Sequence, residues 1–293
     1  MSNDNPNEFP TQLCELKTGF SVFTFKDDEI TKRIADPNGY EPELTFFINQ
    51  YLSSLSNAIC FDVGSNVGIH AIQMANVSGK VYSFEPIPFI YQILNKNITL
   101  NNLSNIVLFN KALSNFKGES KINLNLEGNF GASSIDNSAL NFREIDINVA
   151  TGDMITASEN ILHVDFIKID VEGHEAKVCQ GLTKTIRRFQ PVISMEWNSS
   201  QTRKDFNDLN LFDDLFKNYV KIPLTDSHLN FHMKSRNVNK YRFFRKVIRP
   251  VYKRFTKKVI CLGDFIHHEN YGNLLLIPKD KITDVKNIFK HVI

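Results

Sequence analysis

The chain has 293 residues, 42% hydrophobic and 23% charged, with a net charge of +2. That balance suits a globular protein long enough to bury a sizeable core and excludes low-complexity or collagen-like chains. No apolar run approaches the roughly 20 residues of a membrane-spanning helix, and the four cysteines (Cys14, Cys60, Cys179, Cys261) lie too far apart in sequence for a zinc site or a disulfide framework.

Residues 1–10 are polar and rich in Asn and Pro, with neither the basic start nor the apolar stretch of a secretory signal. They read as a disordered lead-in to a reduced, cytoplasmic protein. Residues 12–36 read as short strands, with Phe20, Val22, Phe23 and Phe25 partly alternating. Tyr40-Glu41-Pro42-Glu43 then opens a helix over 43–55, proline and early acids both suiting a first turn. Strands are predicted at 58–62, 80–85, 105–109, 163–169 and 191–196, with helices at 68–77, 88–101 and 174–187 between them. Ile122, Leu124 and Leu126 alternate as a hairpin or edge strand would, 203–218 reads as a helix, and Asn273 to Pro278 as a last core strand. Strands alternating with helices predict a parallel sheet covered on both faces. The expected layout is one domain over 11–293: a cap at 11–57, a core at 58–224, a basic insertion at 225–270, and a last strand and helix at 271–293.

The chemistry concentrates at the ends of the predicted strands. The first ends in Asp62 and runs into the turn Gly64-Ser65-Asn66-Val67-Gly68; the second ends in Glu85, followed by Pro86. Such a strand-turn-helix-strand cradles a nucleoside. A pyrophosphate would favour glycine in the middle of the turn, where Asn66 stands, so the pattern suits a nucleoside ligand without one, such as S-adenosylmethionine. Asp62 is expected to draw its ammonium group, Gly64 to Gly68 to underlie its methionine portion, and Glu85 to accept both ribose hydroxyls. Asn110, at the end of the third strand, is expected beside the adenine, and Glu41 is expected to cap the site.

Phe61-Asp-Val-Gly-Ser-Asn-Val-Gly68, Phe84-Glu-Pro-Ile-Pro88, Asn95-Lys-Asn-Ile98, Asn110-Lys-Ala-Leu-Ser114 and Phe166-Ile-Lys-Ile-Asp-Val-Glu-Gly-His-Glu175 recur in order. Together they resemble the FkbM family of class I S-adenosylmethionine-dependent methyltransferases, from about Tyr40 to Trp197. The resemblance implies an α/β, Rossmann-like, seven-stranded, mostly parallel sheet with helices on both faces. It also implies O-methylation of a hydroxyl, typically on a sugar or polyketide-type product. Ser65, where the family usually has Ala, and the long basic insertion after Thr225 depart from its pattern.

Methyl transfer needs an aligned oxygen nucleophile and a group to take its proton. The fourth strand ends in Asp170, expected to position the reacting groups, with Glu172 or His174 as base; each is also a plausible helix-start residue. The fifth strand ends in Glu196-Trp197-Asn198. Asp170, Glu196 and Asn198 are expected to converge, either holding Mg²⁺ or, the favoured reading, with Glu196 bonding substrate hydroxyls or a backbone amide. Asp153 suits a helix cap as well as a ligand contact. The expected acceptor is a small molecule or glycan; the alternatives are methylation of a nitrogen or of nucleic acid, or a non-catalytic cofactor- or membrane-binding module.

Residues 234–258 hold eleven Lys and Arg and no acid, leaving 23 basic against 32 acidic residues elsewhere. Phe244, Val247, Ile248, Val251, Tyr252, Phe255 and Val259 form one helical stripe, interrupted at Pro250. The segment reads as a helix packed on the body, or as one making peripheral contact with an anionic membrane through 241–260. Nucleic acid is not expected, because an acidic body repels phosphate.

Overall fold

A computed structural model describes residues 9–125, 142–226 and 260–289. The predicted lead-in and basic stripe lie largely or wholly outside those residues. The chain opens with a two-stranded antiparallel ribbon, β1 (Thr11–Glu15) and β2 (Ser21–Phe25), then α1 (Glu29–Ile34) and α2 (Pro42–Ser53). The expectation of strands through residue 36 is corrected at α1. Asp28 caps its first turn by accepting from the Ile30 amide, and Ile30 and Ile34 bury one face.

The central sheet is built from β3 (Ile59–Val63), β4 (Lys80–Phe84), β5 (Ile106–Phe109), β9 (Phe166–Ile169), β10 (Val192–Trp197), β11 (Tyr219–Asp226), β12 (Ile260–Leu262) and β13 (Tyr271–Pro278). Its order is β12-β11-β13-β10-β9-β3-β4-β5. β10, β9, β3, β4 and β5 run parallel, and β13 pairs antiparallel with β10 and β11 on either side. The predicted seven-stranded, mostly parallel sheet is therefore present, and the three-residue β12 extends its edge. The chain winds outward from β3 to β5, then returns to β9 on the other side of β3. That reversal opens a crevice at the carboxyl ends of β3 and β9, where ligands of such sheets bind.

Strand alternation feeds two cores, one on each face. Phe61, Val63, Ile167, Ile169, Met195, Leu274 and Leu276 face α6 (Glu175–Gly181), α7 (Thr183–Phe189) and α8 (Ser200–Asp208). Cys60, Phe166, Val192, Leu275 and Ile277 face α2, α3 (Ile69–Val77) and α9 (Ile282–Phe289). A third core joins α4 (Pro88–Leu100) to β1–β2 and to a small sheet of β6 (Ala112–Leu113), β7 (Gly118–Asn125) and β8 (Phe142–Ala150). β7 carries the alternating Ile122 and Leu124.

Two helix expectations are corrected. The segment 174–187 divides into α6 and α7 at Leu182. There Gly181 passes so close to the Ser114 carbonyl that a Cβ would lie 1.9 Å from its oxygen. The helix expected over 203–218 starts earlier and stops at Asp208. Ser199 caps it by accepting from the Gln201 and Thr202 amides, and Asn210 turns left-handed (φ 49°) just beyond its end. Asp153 is not the N-cap of its own helix, α5 (Gly152–Ser158), which Thr151 caps; it accepts from the Lys184 and Thr185 amides at the start of α7.

Candidate active site

The turn after β3 is tied to the tip of β4. The Gly64 and Ser65 amides both donate to the Phe84 carbonyl, at 3.1 and 3.0 Å. Ser65 puts its hydroxyl to use: it donates to the Asp62 carbonyl at 2.8 Å and accepts from Ser83 Oγ and the Phe84 amide. An alanine there would forgo all three contacts. Asn66 sits at φ 50°, so the middle of the turn does require the left-handed region, which Asn tolerates among non-glycine residues. Its own Oδ1 accepts from the Val67 amide at 2.8 Å.

Gly64 is required for a second reason besides its φ of 79°: a Cβ would stand 1.8 Å from the Asp170 carbonyl oxygen. The contact brings the tip of β9 against the turn. Gly64→Ala is expected to force the two tips apart, lowering stability by ~2 kcal/mol or more and abolishing cofactor binding. Chemical denaturation and calorimetric titration with S-adenosylhomocysteine check both; unchanged binding would show that the close approach is dispensable.

Glu85 follows β4 almost fully buried. Its Oε2 accepts from the Asn66 amide and its Oε1 from the Ile87 amide, both at 2.9 Å. Burial raises its pKa to about 7 against the pull of those two amides. Each oxygen keeps a lone pair for a ribose hydroxyl. Asn110 lies behind this turn, its amide donating to the Glu85 and Pro86 carbonyls at 2.9 and 3.0 Å. It fixes the β4 turn and does not line the cavity.

These groups border a cavity of about 270 Å³ whose lining includes Gly64, Ser65, Asn66, Glu85, Pro86, Asp170, Glu172, His174, Glu196 and Asn198. Asp62 and Gly68, expected to meet the ligand, are not in its lining. Gly68 is the αL residue before α3, where a Cβ would collide with Leu94 at 2.3 Å. Asp62 is wholly buried beneath the turn, in register with Lys168 of β9, whose Nζ lies 3.7 Å from Oδ1. Its expected contact with an ammonium group is thus replaced by a contact with a lysine of the same face.

Lys168 is the main residue that sequence reasoning passed over. It is buried inside an apolar strand, and its Nζ also donates to Asp170 Oδ2 at 3.0 Å. Although burial opposes its charge, Asp170 and Asp62 together raise its pKa. The period-two pattern Lys168-x-Asp170 was the available signal: alternation puts both on one face, with Asp62 opposite.

Three acids converge at the strand tips. Asp170, Glu172 and Glu196 each offer an oxygen within 4.8 Å of the others. The spacing suits a divalent cation or a cluster of hydroxyls. Of the set expected to hold a cation, Asn198 instead turns its amide onto Glu196 Oε1, and Glu172 takes its place. Glu172 stands at φ 51° before Gly173 at φ 103°, a reversal that bends the backbone out of β9. Burial, then Asp170 and Glu175, push Glu172 up to about 8; burial, then Asp170 and Glu172, push Glu196 up to about 10. The cluster therefore holds protons at neutral pH until a positive charge enters.

The other two acidic-turn residues have structural contacts. Glu175 Oε1 accepts from the Val171 and Gly173 amides at 3.3 and 3.1 Å, and its Oε2 accepts from Thr202 Oγ1. His174 is buried, not exposed, and its Nε2 lies 2.9 Å from Ser114 Oγ. That contact fastens the Asn110-to-Ser114 segment to the β9 turn.

The cavity's remaining wall comes from before β3. Glu41, itself left-handed at φ 39°, meets His70 Nε2 at 3.0 Å, and His70 Nδ1 lies 3.2 Å from Gln73 Oε1. Burial opposes the Glu41 charge, yet the His70 bond and charge lower its pKa to about 2. A group held toward its carboxylate form thus shares the cavity with the proton-holding cluster. Arg33, Tyr40 and Lys111 also line the cavity, and of these only Arg33 lies outside every motif singled out in the sequence.

The residues fit a sulfonium nucleoside: a carboxylate with spare lone pairs at the ribose position, a glycine turn beneath, and acids around the site of positive charge. A strand-tip cavity of this construction on this sheet defines a methyltransferase. The methyltransferase FkbM domain model matches residues 62–223, more than half of the chain, which therefore belongs to the FkbM methyltransferase family. S-adenosylmethionine is its methyl donor. Hexuronic acid methyltransferase AglP of Haloferax volcanii is 25% identical over 197 residues, 67% of this chain and 78% of that protein. Methyltransferase sdnD of Sordaria araneosa is 25% identical over 186 residues, 53% and 72% of the two chains. Among solved structures, the FkbM methyltransferase of Methylobacillus flagellatus aligns at 18% identity and TM-score 0.37, over 60% of this chain and less than half (43%) of its own. The Bacillus cereus O-methyltransferase bound to S-adenosylhomocysteine aligns at 14% identity and TM-score 0.39, over 65% and 76%.

Proposed function

We propose that this methyltransferase acts on a hydroxyl of a sugar, glycan or glycolipid. The observation that carries the reading is the convergence of Asp170, Glu172 and Glu196 at the strand tips beside the cofactor turn. An ionised carboxylate accepts and a protonated carboxyl also donates, so a cluster that holds protons suits hydroxyls, which can do both. Glu172, raised to about 8 where its cluster neighbour Glu196 is raised to about 10, is the base that takes the acceptor proton, and Asp170 and Glu196 orient the hydroxyl. The acceptor oxygen must lie in line with the bond that breaks at the methyl-bearing sulfur, which the bound cofactor supplies. Glu85 and the Gly64–Asn66 turn hold the nucleoside end; Tyr40 and Glu41 close the opposite wall.

AglP, named for a hexuronic acid acceptor, supports the sugar reading. The lining holds six carboxylates (Glu29, Glu41, Glu85, Asp170, Glu172, Glu196) against Arg33, Lys111 and Lys168. Such a surplus opposes a phosphate backbone. The test is release of S-adenosylhomocysteine over a panel of mono- and oligosaccharides, catechols and amines. Release with saccharides is expected; release confined to amines, or to non-sugar hydroxyls, would sink the reading.

A further inference from the structure

We infer that Arg33 is the anchor for a carboxylate carried by the acceptor, which makes the enzyme selective for acidic saccharides. The inference rests on the sugar-hydroxyl reading and narrows it. An open groove runs from the cavity mouth along α1 and residues 35–42, and it shares Glu29, Arg33 and Glu41 with the cavity. Among the described residues, Arg33 is the only cation that lines both. Its position at the junction is therefore where an acceptor passing from groove to cavity must meet a positive charge.

The guanidinium is available there. Its side chain is 55% exposed, and among the described residues its one contact is Nε to Glu29 Oε1 at 3.5 Å, at the long limit of a hydrogen bond. The Nη edge, the fork that matches a carboxylate bidentately, has no partner among the described residues. By contrast Lys168 is spent between Asp62 and Asp170. Lys111 follows Asn110, on the Glu85 side.

Arg33 also faces the chemistry. Its charge favours the carboxylate forms of Glu172, the proposed base, and of Glu41, and all three line the same cavity. A sugar acid holds a carboxylate and ring hydroxyls a few ångströms apart. Seating the first on Arg33 delivers one of the second to Glu172. The groove beyond offers charged and amide groups, with only Ala35, Gly39 and Pro42 to meet apolar surface, so it suits a hydrophilic chain and not a greasy one. Because acids outnumber cations in the cavity lining, an anionic acceptor entering from the groove is steered to Arg33, the cation shared by groove and cavity among the described residues.

The test titrates the protein, with S-adenosylhomocysteine bound, against a glucuronate-containing disaccharide and its carboxyl-reduced counterpart. The unaltered protein is expected to bind the acidic sugar about 10- to 100-fold tighter, the range of a hydrogen-bonded charge pair. Arg33→Gln should lose that preference while keeping its affinity for S-adenosylhomocysteine. Equal binding of the two sugars, no binding of either, or a preference that survives Arg33→Gln overturns the anchor. So does weakened S-adenosylhomocysteine binding with the sugar preference intact, which would assign Arg33 to the cofactor's own carboxylate. Turnover with S-adenosylmethionine separates the two claims. Arg33-dependent binding without methyl transfer removes the sugar-methylation reading alone, and equal methylation of both sugars removes the anchor alone.

Discussion

Lys168→Met is expected to destabilise the protein by about 3–5 kcal/mol, the cost of breaking a buried ion pair from one side. Asp62 has no exposed surface, and neither carboxylate oxygen has a hydrogen-bond partner among the described residues. Lys168 Nζ, 3.7 Å away and in register across the strands, supplies its countercharge. Methionine preserves most of the lysine's volume and removes only the charge. Asp62 is then left as a buried acid with no countercharge. Adding Asp62→Asn removes the stranded charge, and the double variant should recover most of the loss. Urea denaturation of both variants checks this. A deficit that Asp62→Asn fails to relieve would mean that the pair contributes shape rather than charge. The active site suffers too, because the same substitution releases Asp170 from its 3.0 Å bond and leaves it beside Glu172 and Glu196.

The parts of this site that could be read from sequence are those set by local geometry. A glycine turn after an apolar run, an acid at the next strand tip and Asp170 at the fourth each follow from strand period and turn chemistry, which act over a few residues. What could not be read depends on register between distant strands. Asp62 looked like a ligand contact because its sequence neighbours are the glycine turn; only the β3–β9 register shows that its face is filled by Lys168. Asn110 likewise sits at a strand end but turns its amide under the Glu85 turn. Glu41 and His70 meet across 29 residues, and Arg33 lies in a segment whose partial alternation resembled a strand until Asp28 capped it as a helix. Pro223 in β11 is a residue that disfavours an interior strand. β12 pairs only with Leu224 to Asp226, so the proline lies just outside that short ladder.

Glu172→Gln is expected to lower kcat by about 10²- to 10⁴-fold, the usual contribution of a positioned general base, with S-adenosylhomocysteine affinity changed by less than about tenfold. The argument starts from crowding. Three carboxyls with oxygens inside 4.8 Å cannot all be ionised in a half-buried pocket, so protons stay on the cluster, and burial with Asp170 and Glu175 nearby holds Glu172 up to about 8. Glu41 shows the opposite behaviour on the facing wall, drawn down to about 2 by His70. Groups pushed apart in this way divide the labour: one stays an anion that attracts positive charge, the other is poised to exchange a proton. A base must be deprotonated to act, so the rate should rise with pH and level off above the pKa of Glu172. In the free enzyme that limb is expected at about pH 8. The cationic methyl donor favours the carboxylate form, so the limb measured on kcat should lie lower than the free-enzyme value. Gln cannot titrate, and its rate profile should lose this limb. Should Glu172→Gln keep both rate and limb while His174→Gln loses them, the proton goes to the imidazole instead. That outcome would also require His174 to give up its contact with Ser114 Oγ during turnover.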